Sequence, residues 1–488
     1  MRTPPRRFLA PLALAAATLS AFLLAAQSAR AQAINATVVS TSPAQIRLDW
    51  DSVNYWGSSI SRKLYRRPKG DTPWGNPIWS ATGSPAGNIL SYTDTTIASG
   101  SAYEYKLETF NTSDNTQNGY GTVSGGVNVP VVESRGTLLL LVDVSQASSL
   151  AQELAQLQQD LAGDGWKVVR SDLARESVLE SATGTGVGPA RLAEVSAVKQ
   201  VILTSYTNNA DLKAVYILGH LPVPYSGNLA PDGHGEHFGA WPADTYYAGV
   251  SGTWTDTSVN DVGATDTRNW NVPGDGKFDQ TVIPANLVLQ VGRVDFYNMN
   301  EFPTSAVTET ELLRRYLRKA HDYRYKQGAY ANISRRNAVY DGFANWNSQN
   351  SYSSGASYNN WTSRGVIGRD SSLTDLIPGS GVASPWFAWL EANPSNTYLL
   401  ASLQSAGQFD GNATGNSSDF GLRPSRSVFN VIFGSYLGDW GFPNDYMRAS
   451  LAGNAAGDSL GLTCFWGAAR ISSGIRWRWA RPSAMRHG

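Results

Sequence analysis

The sequence predicts an all-β sandwich followed by an α/β domain built on a mainly parallel sheet with helices on both faces. Three observations predict it. From about Ile34 to Pro130, short alternating β-type runs are separated by Gly, Pro, Asn and Asp, with almost no helical periodicity. After Pro130 the pattern changes: Leu138 to Val142 is a continuous apolar run, Leu150 to Leu161 repeats apolar residues at helical spacing, and Trp166 to Val169 returns to strand character, which is a β-α-β unit. Further apolar strands are predicted at Ala214 to Leu218, Leu287 to Val291, Ala338 to Tyr340, Tyr398 to Leu403 and Val428 to Phe433, with a helix around Arg191 to Tyr206. Continuous apolar strands of this kind belong to sheets covered on both faces. The predicted domains are a leader over residues 1–31, the sandwich over 32–130, the α/β domain over 131–469 and an atypical tail over 470–488.

The leader carries Arg2, Arg6 and Arg7, then an apolar stretch from Phe8 to Ala26 broken by Pro11, then Ala29-Arg30-Ala31. A positive start, a short apolar region and a small-x-small site are the features of a secretory signal, so cleavage after Ala31 and export to the periplasm or beyond are expected. No later stretch is long and apolar enough to span a bilayer. Basic and acidic residues balance at 39 each, which excludes the charged field that nucleic acid binding needs. Cys464 is the single cysteine, so no intramolecular disulfide can form, and the exported fold must rest on its core and on any ions it binds. From Arg470 the sequence turns abruptly basic, with Arg476-Trp-Arg-Trp-Ala-Arg481, and has neither strand alternation nor a helical stripe. It reads as out-of-frame translation, or else as a basic tail for an acidic surface.

Gln45-Ile-Arg-Leu-Asp-Trp50, Ser61-Arg-Lys-Leu-Tyr65-Arg66 and the segment from Tyr92 to Leu107 resemble a fibronectin type III domain. The resemblance implies Trp50 as core tryptophan and Tyr103 or Tyr105 as corner tyrosine. In the second domain three segments resemble the gingipain-type cysteine peptidases, a family of caspase-like fold. They are Lys213-Ala-Val-Tyr-Ile-Leu-Gly-His220-Leu-Pro-Val-Pro224, the pair Asp244-Thr-Tyr-Tyr247 and Val291-Gly-Arg293-Val294, and Val431-Ile-Phe-Gly434-Ser435-Tyr-Leu-Gly438-Asp439-Trp440. The resemblance implies a nucleophilic cysteine after the last of these strands and a histidine after the strand before it. This sequence has Ser435 at the first position and Ala406 near the second. A serine without a base is a poor nucleophile, so the chain is expected to be a degenerate peptidase or one that uses other residues. The turn after Phe433 is expected to aim backbone amides at a bound carbonyl.

Residues that could supply other chemistry cluster after the Ala214 to Leu218 strand. His220, His234 and His237 lie close together in a chain with five histidines, and Asp232, Glu236 and Asp244 accompany them. Ligands in α/β folds collect at that strand edge. Imidazoles and carboxylates suit a transition metal at His234 and His237, with Asp244 as ligand or orienter. Asp261, Asp266, Asp275 and Asp279 offer hard oxygen ligands on a long loop and are expected to bind calcium. Trp241, Trp254, Trp270, Trp346, Trp361, Trp386, Trp389 and Trp440 could stack on a sugar or grip a peptide. Two other readings therefore stand beside the peptidase: a non-catalytic envelope module that binds a protein or polysaccharide, and a metal-dependent hydrolase centred on His234 and His237.

Overall fold

A computed structural model describes residues 30–31, 34–50, 59–69, 71, 73–83, 90–115, 117–129, 134–178, 186–299, 307–343, 367, 371–379, 381–454 and 456–467. The predicted leader up to Ala29, Trp346, Trp361 and the basic tail lie outside them. Two compact units are present, one ending at Pro130 and one beginning at Val131.

In the first unit the strands are β1 (Arg30–Ala31), β2 (Ile34–Thr41), β3 (Ala44–Trp50), β4 (Ile60–Pro68), β5 (Trp79–Gly83), β6 (Leu90–Asp94), β7 (Ala102–Asn111) and β8 (Gln117–Gly126). They form one sheet in the order β2-β3-β6 and another in the order β1-β8-β7-β4-β5. Alternation turns Ile46, Leu48 and Trp50 from one sheet and Leu64, Tyr105 and Leu107 from the other into a single core. Trp50 is fully buried and meets Trp79 at 5.3 Å between ring centroids. The Tyr105 hydroxyl donates to Asp94, and the Tyr103 hydroxyl accepts from the Ala98 amide.

The second unit begins with β9 (Gly136–Asp143), β10 (Trp166–Leu173), β11 (Leu212–Leu218), β12 (Tyr225–Leu229), β13 (Gly239–Pro242) and β14 (Gln290–Val294). It continues with β15 (Asn337–Asp341), β16 (Thr374–Leu376), β17 (Tyr398–Gln404), the two-residue strands β18 (Gly407–Gln408), β19 (Gly411–Asn412) and β20 (Gly415–Asn416), then β21 (Ser427–Phe433) and β22 (Thr463–Trp466). One parallel sheet runs β10-β9-β11-β14 and a separate one runs β16-β15-β17-β21-β22.

The apolar run of β9 serves two cores at once. Leu138, Leu140 and Val142 point into a cluster shared with the helices Ala151–Gly163 and Glu309–Tyr325 and with the second sheet. Leu139 and Leu141 point to the other side, against Val195, Val198 and Ile202 of the helix Gly188–Asn208. The helix Glu309–Tyr325 is started by the Thr308 side chain, which accepts from the Glu311 amide, and has Glu309 and Glu311 in its first turn.

The predicted fold class needs correction. Among the described residues four of the six sheets are antiparallel, apart from β1, which runs parallel to β8. The parallel strands do not form one dominant sheet but two separate ones, and β12 with β13 and β18 to β20 add two small antiparallel sheets. A single mainly parallel, caspase-like α/β sheet behind a fibronectin type III-like sandwich does not describe this arrangement. The apolar runs showed which strands would be buried, but carry no information on which strands become neighbours. A smaller shift occurs at β14, which begins at Gln290 rather than Leu287. Leu287 and Val288 are about half exposed, because the register with β11 pairs Val291 with Val215 and Val294 with Leu218.

Leu140 is fully buried in the shared core. Leu140→Ala is expected to cost the second unit about 2–5 kcal/mol. Urea unfolding of the variant measures this, and a loss under about 1 kcal/mol would contradict the core as described.

Candidate functional site

Strand β21 lies between β17 and β22, and all its residues except Phe429 are buried. At its C-terminal end the chain cannot run straight on. A Cβ on Gly434 would stand 2.7 Å from the Ser405 carbonyl oxygen, so this position needs glycine. Ser435 follows, and Tyr436 sits at φ 65°, in the left-handed region that a bulky residue occupies only when its surroundings hold it there. Trp466 of β22 donates its indole N–H to the Gly434 carbonyl at 2.9 Å and lies across Gly438, where a Cβ would meet the ring at 2.6 Å. The turn therefore presents Ser435 at the C-terminal edge of a parallel sheet, where α/β proteins gather their ligands.

A second loop reaches this turn from the segment between β12 and β13. Gly233, at φ 88°, lets the chain reverse before His234, and a short 3-10 turn spans Gly235–His237. His234 Nε2 lies 2.6 Å from Ser435 Oγ, and its Nδ1 lies 3.4 Å from Glu236 Oε1. The imidazole stacks on Tyr436 with ring centroids 5.2 Å apart. Tyr436 in turn donates its hydroxyl to Glu236 Oε1 at 2.7 Å. Burial, reinforced by this carboxylate, pushes the phenol up to about 12, while the same hydrogen bond holds Glu236 below the usual carboxylate range.

Behind this pair lies a buried polar cluster. Asp232 accepts the amides of His234 and Tyr436, one from each loop. His237 sits between Asp232, at 2.8 Å from its Nδ1, and Asp439, at 3.1 Å from its Nε2. Asp439 is fully buried, and burial alone would raise its pKa. The Arg268 guanidinium, His237 and Asn269 instead hold it below the usual range. Beside the cluster opens a cleft of about 540 Å³ lined by Glu236, Thr265, Asp266, Gln408, Phe409 and Tyr436, among others.

Of the residues singled out in the sequence, Ser435 and His234 come together, with His237 directly behind them. The expectation that Ser435 lacks a base is thereby corrected. The sequence signal was Gly233-His234-Gly235, a histidine on a turn flanked by glycines. Tyr436 is a site residue that sequence reasoning did not assign, and Glu236 was named there only as a candidate metal ligand. His220 is elsewhere: it is buried at the end of β11, with Nδ1 2.8 Å from Asp295, Nε2 3.3 Å from Glu176 and its ring stacked on Tyr297. Asp244 forms a two-pronged pair with Arg293, at 2.8 Å on each side, and Arg293 also donates to the carbonyls of Leu221 and Pro222. Both are struts between loops.

Three amides of the expected oxyanion turn are already engaged. The Tyr436 amide is taken by Asp232, that of Leu437 by the Ser435 carbonyl and that of Asp439 by the Tyr436 carbonyl. Ala406 follows β17, where the neighbouring Gly407 packs against the Ser435 backbone. Burial pushes the Cys464 thiol up to about 12.

Metal binding at His234 and His237 does not fit the donors present, because both ring nitrogens of His237 face carboxylates and His234 faces Ser435. Among the described residues no group of three or more His, Cys, Asp or Glu side chains is arranged to hold a metal ion. The acidic loop is tied by its own amides instead. Asp279 accepts from Thr255 Oγ1 and from the amides of Thr257, Ser258 and Val259. Asp275 accepts from the amides of Val272 and Lys277, Asp266 from Arg268 and Asp261 from Gly263. Three of these carboxylates are bound to their own local turns and Asp279 to the 255–259 segment, so the four do not converge as calcium ligands. The described tryptophans are likewise engaged: Trp241 and Trp386 are buried, Trp254 packs on Tyr246 and Phe278, Trp270 donates to Ala264, Trp389 to Tyr398, and Trp440 lies under Arg293. Among the described residues no helix is long and apolar enough to cross a membrane.

No family model matches the chain, and no curated protein does. Solved structures similar to parts of it include a pectate lyase of Erwinia chrysanthemi in complex with tetragalacturonic acid, 14% identical over 23% of this chain and 33% of that one. A β-glucuronidase of Ruminococcus gnavus in complex with uronic isofagomine is 10% identical over 30% of this chain and 29% of that one. A β-glucuronidase of Bacteroides uniformis is 10% identical over 77% of this chain and 40% of that one. All three TM-scores are 0.16, so neither fold nor chemistry carries over from them. None of the three is a gingipain-type or caspase-like peptidase.

Burial would raise the Asp279 carboxyl, but its four donors hold it well below the usual range. A depressed carboxyl contributes stability above its unfolded value of about 3.9, and that contribution is lost as the pH falls through the folded value. Asp279→Ala is therefore expected to cost about 1–3 kcal/mol at pH 7, an effect that fades below about pH 4. EDTA is expected to leave the wild-type melting temperature unchanged. A clear drop with EDTA would return the loop to calcium.

Proposed function

We propose that the chain is an exported hydrolase of the acyl-transfer class, peptidase-related in its chemistry, that acts on a protein or other acyl substrate outside the cytoplasm. Ser435 is the nucleophile, His234 the general base and Glu236 the group that orients it. The observation that carries this reading is the 2.6 Å contact between His234 Nε2 and Ser435 Oγ, which is the hydrogen-bond reach that base-assisted attack requires.

In this reading the His234 ring proton resides on Nδ1, facing Glu236, which leaves Nε2 free to accept the serine proton. As Ser435 Oγ bonds to the carbonyl carbon, its proton passes to Nε2. The tetrahedral adduct then collapses, and the same proton leaves with the departing group. Water, deprotonated by His234, cleaves the acyl-serine and restores the enzyme. The cleft beside Tyr436 and Glu236 gives the substrate a place to lie.

One observation favours a binding-only reading. The amides at Tyr436, Leu437 and Asp439 are committed within the protein, so electrostatic stabilisation of an oxyanion, usually the largest contribution to acyl transfer, must come from donors elsewhere. Labelling separates the two. An active-site-directed fluorophosphonate is expected to modify Ser435, and Ser435→Ala to abolish both labelling and ester or peptide cleavage, by about a thousandfold or more in kcat. His234→Ala is expected to fall by a similar factor. An unlabelled wild type without cleavage would leave the binding module as the reading, whereas cleavage that survives Ser435→Ala would overturn Ser435 as the nucleophile.

A further inference from the structure

His237 has one percent of its surface exposed, and its hydrogen bonds fix its charge. Nδ1 faces Asp232 Oδ2, which also accepts the Tyr436 amide at 2.9 Å. Nε2 faces Asp439 Oδ2, which also accepts Arg268 Nη2 at 2.7 Å and Asn269 Nδ2 at 2.9 Å. An amide, a guanidinium and a carboxamide NH₂ can only donate, so both carboxylate oxygens are acceptors. A neutral imidazole offers one N–H and one lone pair, and would set that lone pair against one of these oxygens. Only the imidazolium, which donates from both nitrogens, satisfies the two contacts.

The rings around His237 suit a cation. Trp241 lies 4.1 Å away between centroids, Tyr436 stacks at 4.7 Å, and Phe409 meets the ring edge-on at 5.3 Å. The other charged groups of the surrounding elements are Glu236 and His234 on the same loop and Asp266 and Arg268 beside Asp439. Burial alone would lower the imidazole, but Asp232 and Asp439 together raise it above the ordinary histidine value.

The two carboxylates lie on the two halves of the site. Asp232 belongs to the His234 loop and accepts the His234 amide, and Asp439 closes the turn that bears Ser435. We propose that His237 is a positioning residue, an imidazolium bolted to Asp232 on one side and Asp439 on the other, which holds the His234 loop on the Ser435 turn and releases it when deprotonated in alkaline solution. This rests on the proposed function only in taking His234 and Ser435 as base and nucleophile. The sign follows from linkage. A raised imidazole stabilises the fold fully below its unfolded value of about 6.5, and that stability is lost as the pH rises through the folded value.

The test is the ¹⁵N titration of the histidine rings in the intact protein, with His237 assigned by the signal that His237→Gln removes. Both ring nitrogens of His237 are expected to be protonated at pH 7.5, with a midpoint above 6.5. A neutral tautomer at that pH overturns the proposal, and this measurement needs no variant to fold beyond the assignment. The positioning role is read from His234, whose ring shifts are expected to respond to Ser435→Ala in the wild-type background and to lose that response with His237→Gln. A response that survives His237→Gln overturns it as well. In turnover, His237→Gln is expected to lower kcat at least tenfold with KM little changed, and the alkaline limb of kcat to follow the His237 midpoint. Failure of Ser435 to react with an acyl probe would end the hydrolase reading yet leave both ring measurements standing. A reactive Ser435 beside a neutral His237 would do the reverse.

Discussion

Asp439 sets the terms for everything around it. Its carboxylate is wholly buried, and taking such an ion out of water costs several kcal/mol unless its surroundings answer for it. Three donors converge on a single oxygen: Arg268 and Asn269 from one loop and His237 from another. Arg268 also lies near the faces of Phe409 and Phe442. Loops with few apolar residues of their own are thus fixed by a charge that has no other way to be satisfied. The half-buried pair of His234 and Ser435 is the visible end of this buried arrangement.

Loops built in this way differ from loops stapled by ions. Asp261, Asp266 and Asp275 close their own turns through backbone amides, while Asp279 ties down the 255–259 segment, and Lys277 is threaded through to the carbonyls of Arg268 and Trp270. Burial pulls that lysine down to about 8. In a chain that cannot make an internal disulfide, side chains of both signs take over the cross-linking that sulfur would otherwise provide.

The strands were legible in the sequence wherever the pattern was local. The run from Leu138 to Val142, the helical repeat from Leu150 to Leu161 and the buried stretch of Val428 to Phe433 announced themselves by their spacing, since a strand or helix must turn apolar residues toward its core. Pairing was not legible. Nothing in Tyr398 to Leu403 says that β15 and β21 will be its neighbours, and the division of the parallel strands into two sheets follows from such choices. The site was half legible: Ser435 and His234 were visible as residue types in turns, but their meeting spans a separation of 201 positions and depends on side-chain direction, which periodicity does not encode. The carboxylates misled for a related reason. Composition counts oxygens, whereas ligation depends on where they point, and local amides had already claimed them.

Trp466 has a consequence for how the molecule comes to exist. Its indole holds the Gly434 carbonyl and roofs Gly438, so the turn that presents Ser435 is finished only when the last described strand is in place at the edge of its sheet. Contacts that join distant parts of a chain wait on the closure of everything between them. A chain emerging from its N-terminus therefore holds His234 long before it holds Ser435, and completes the surroundings of Ser435 later still. Until then the residues of the site are present without the site.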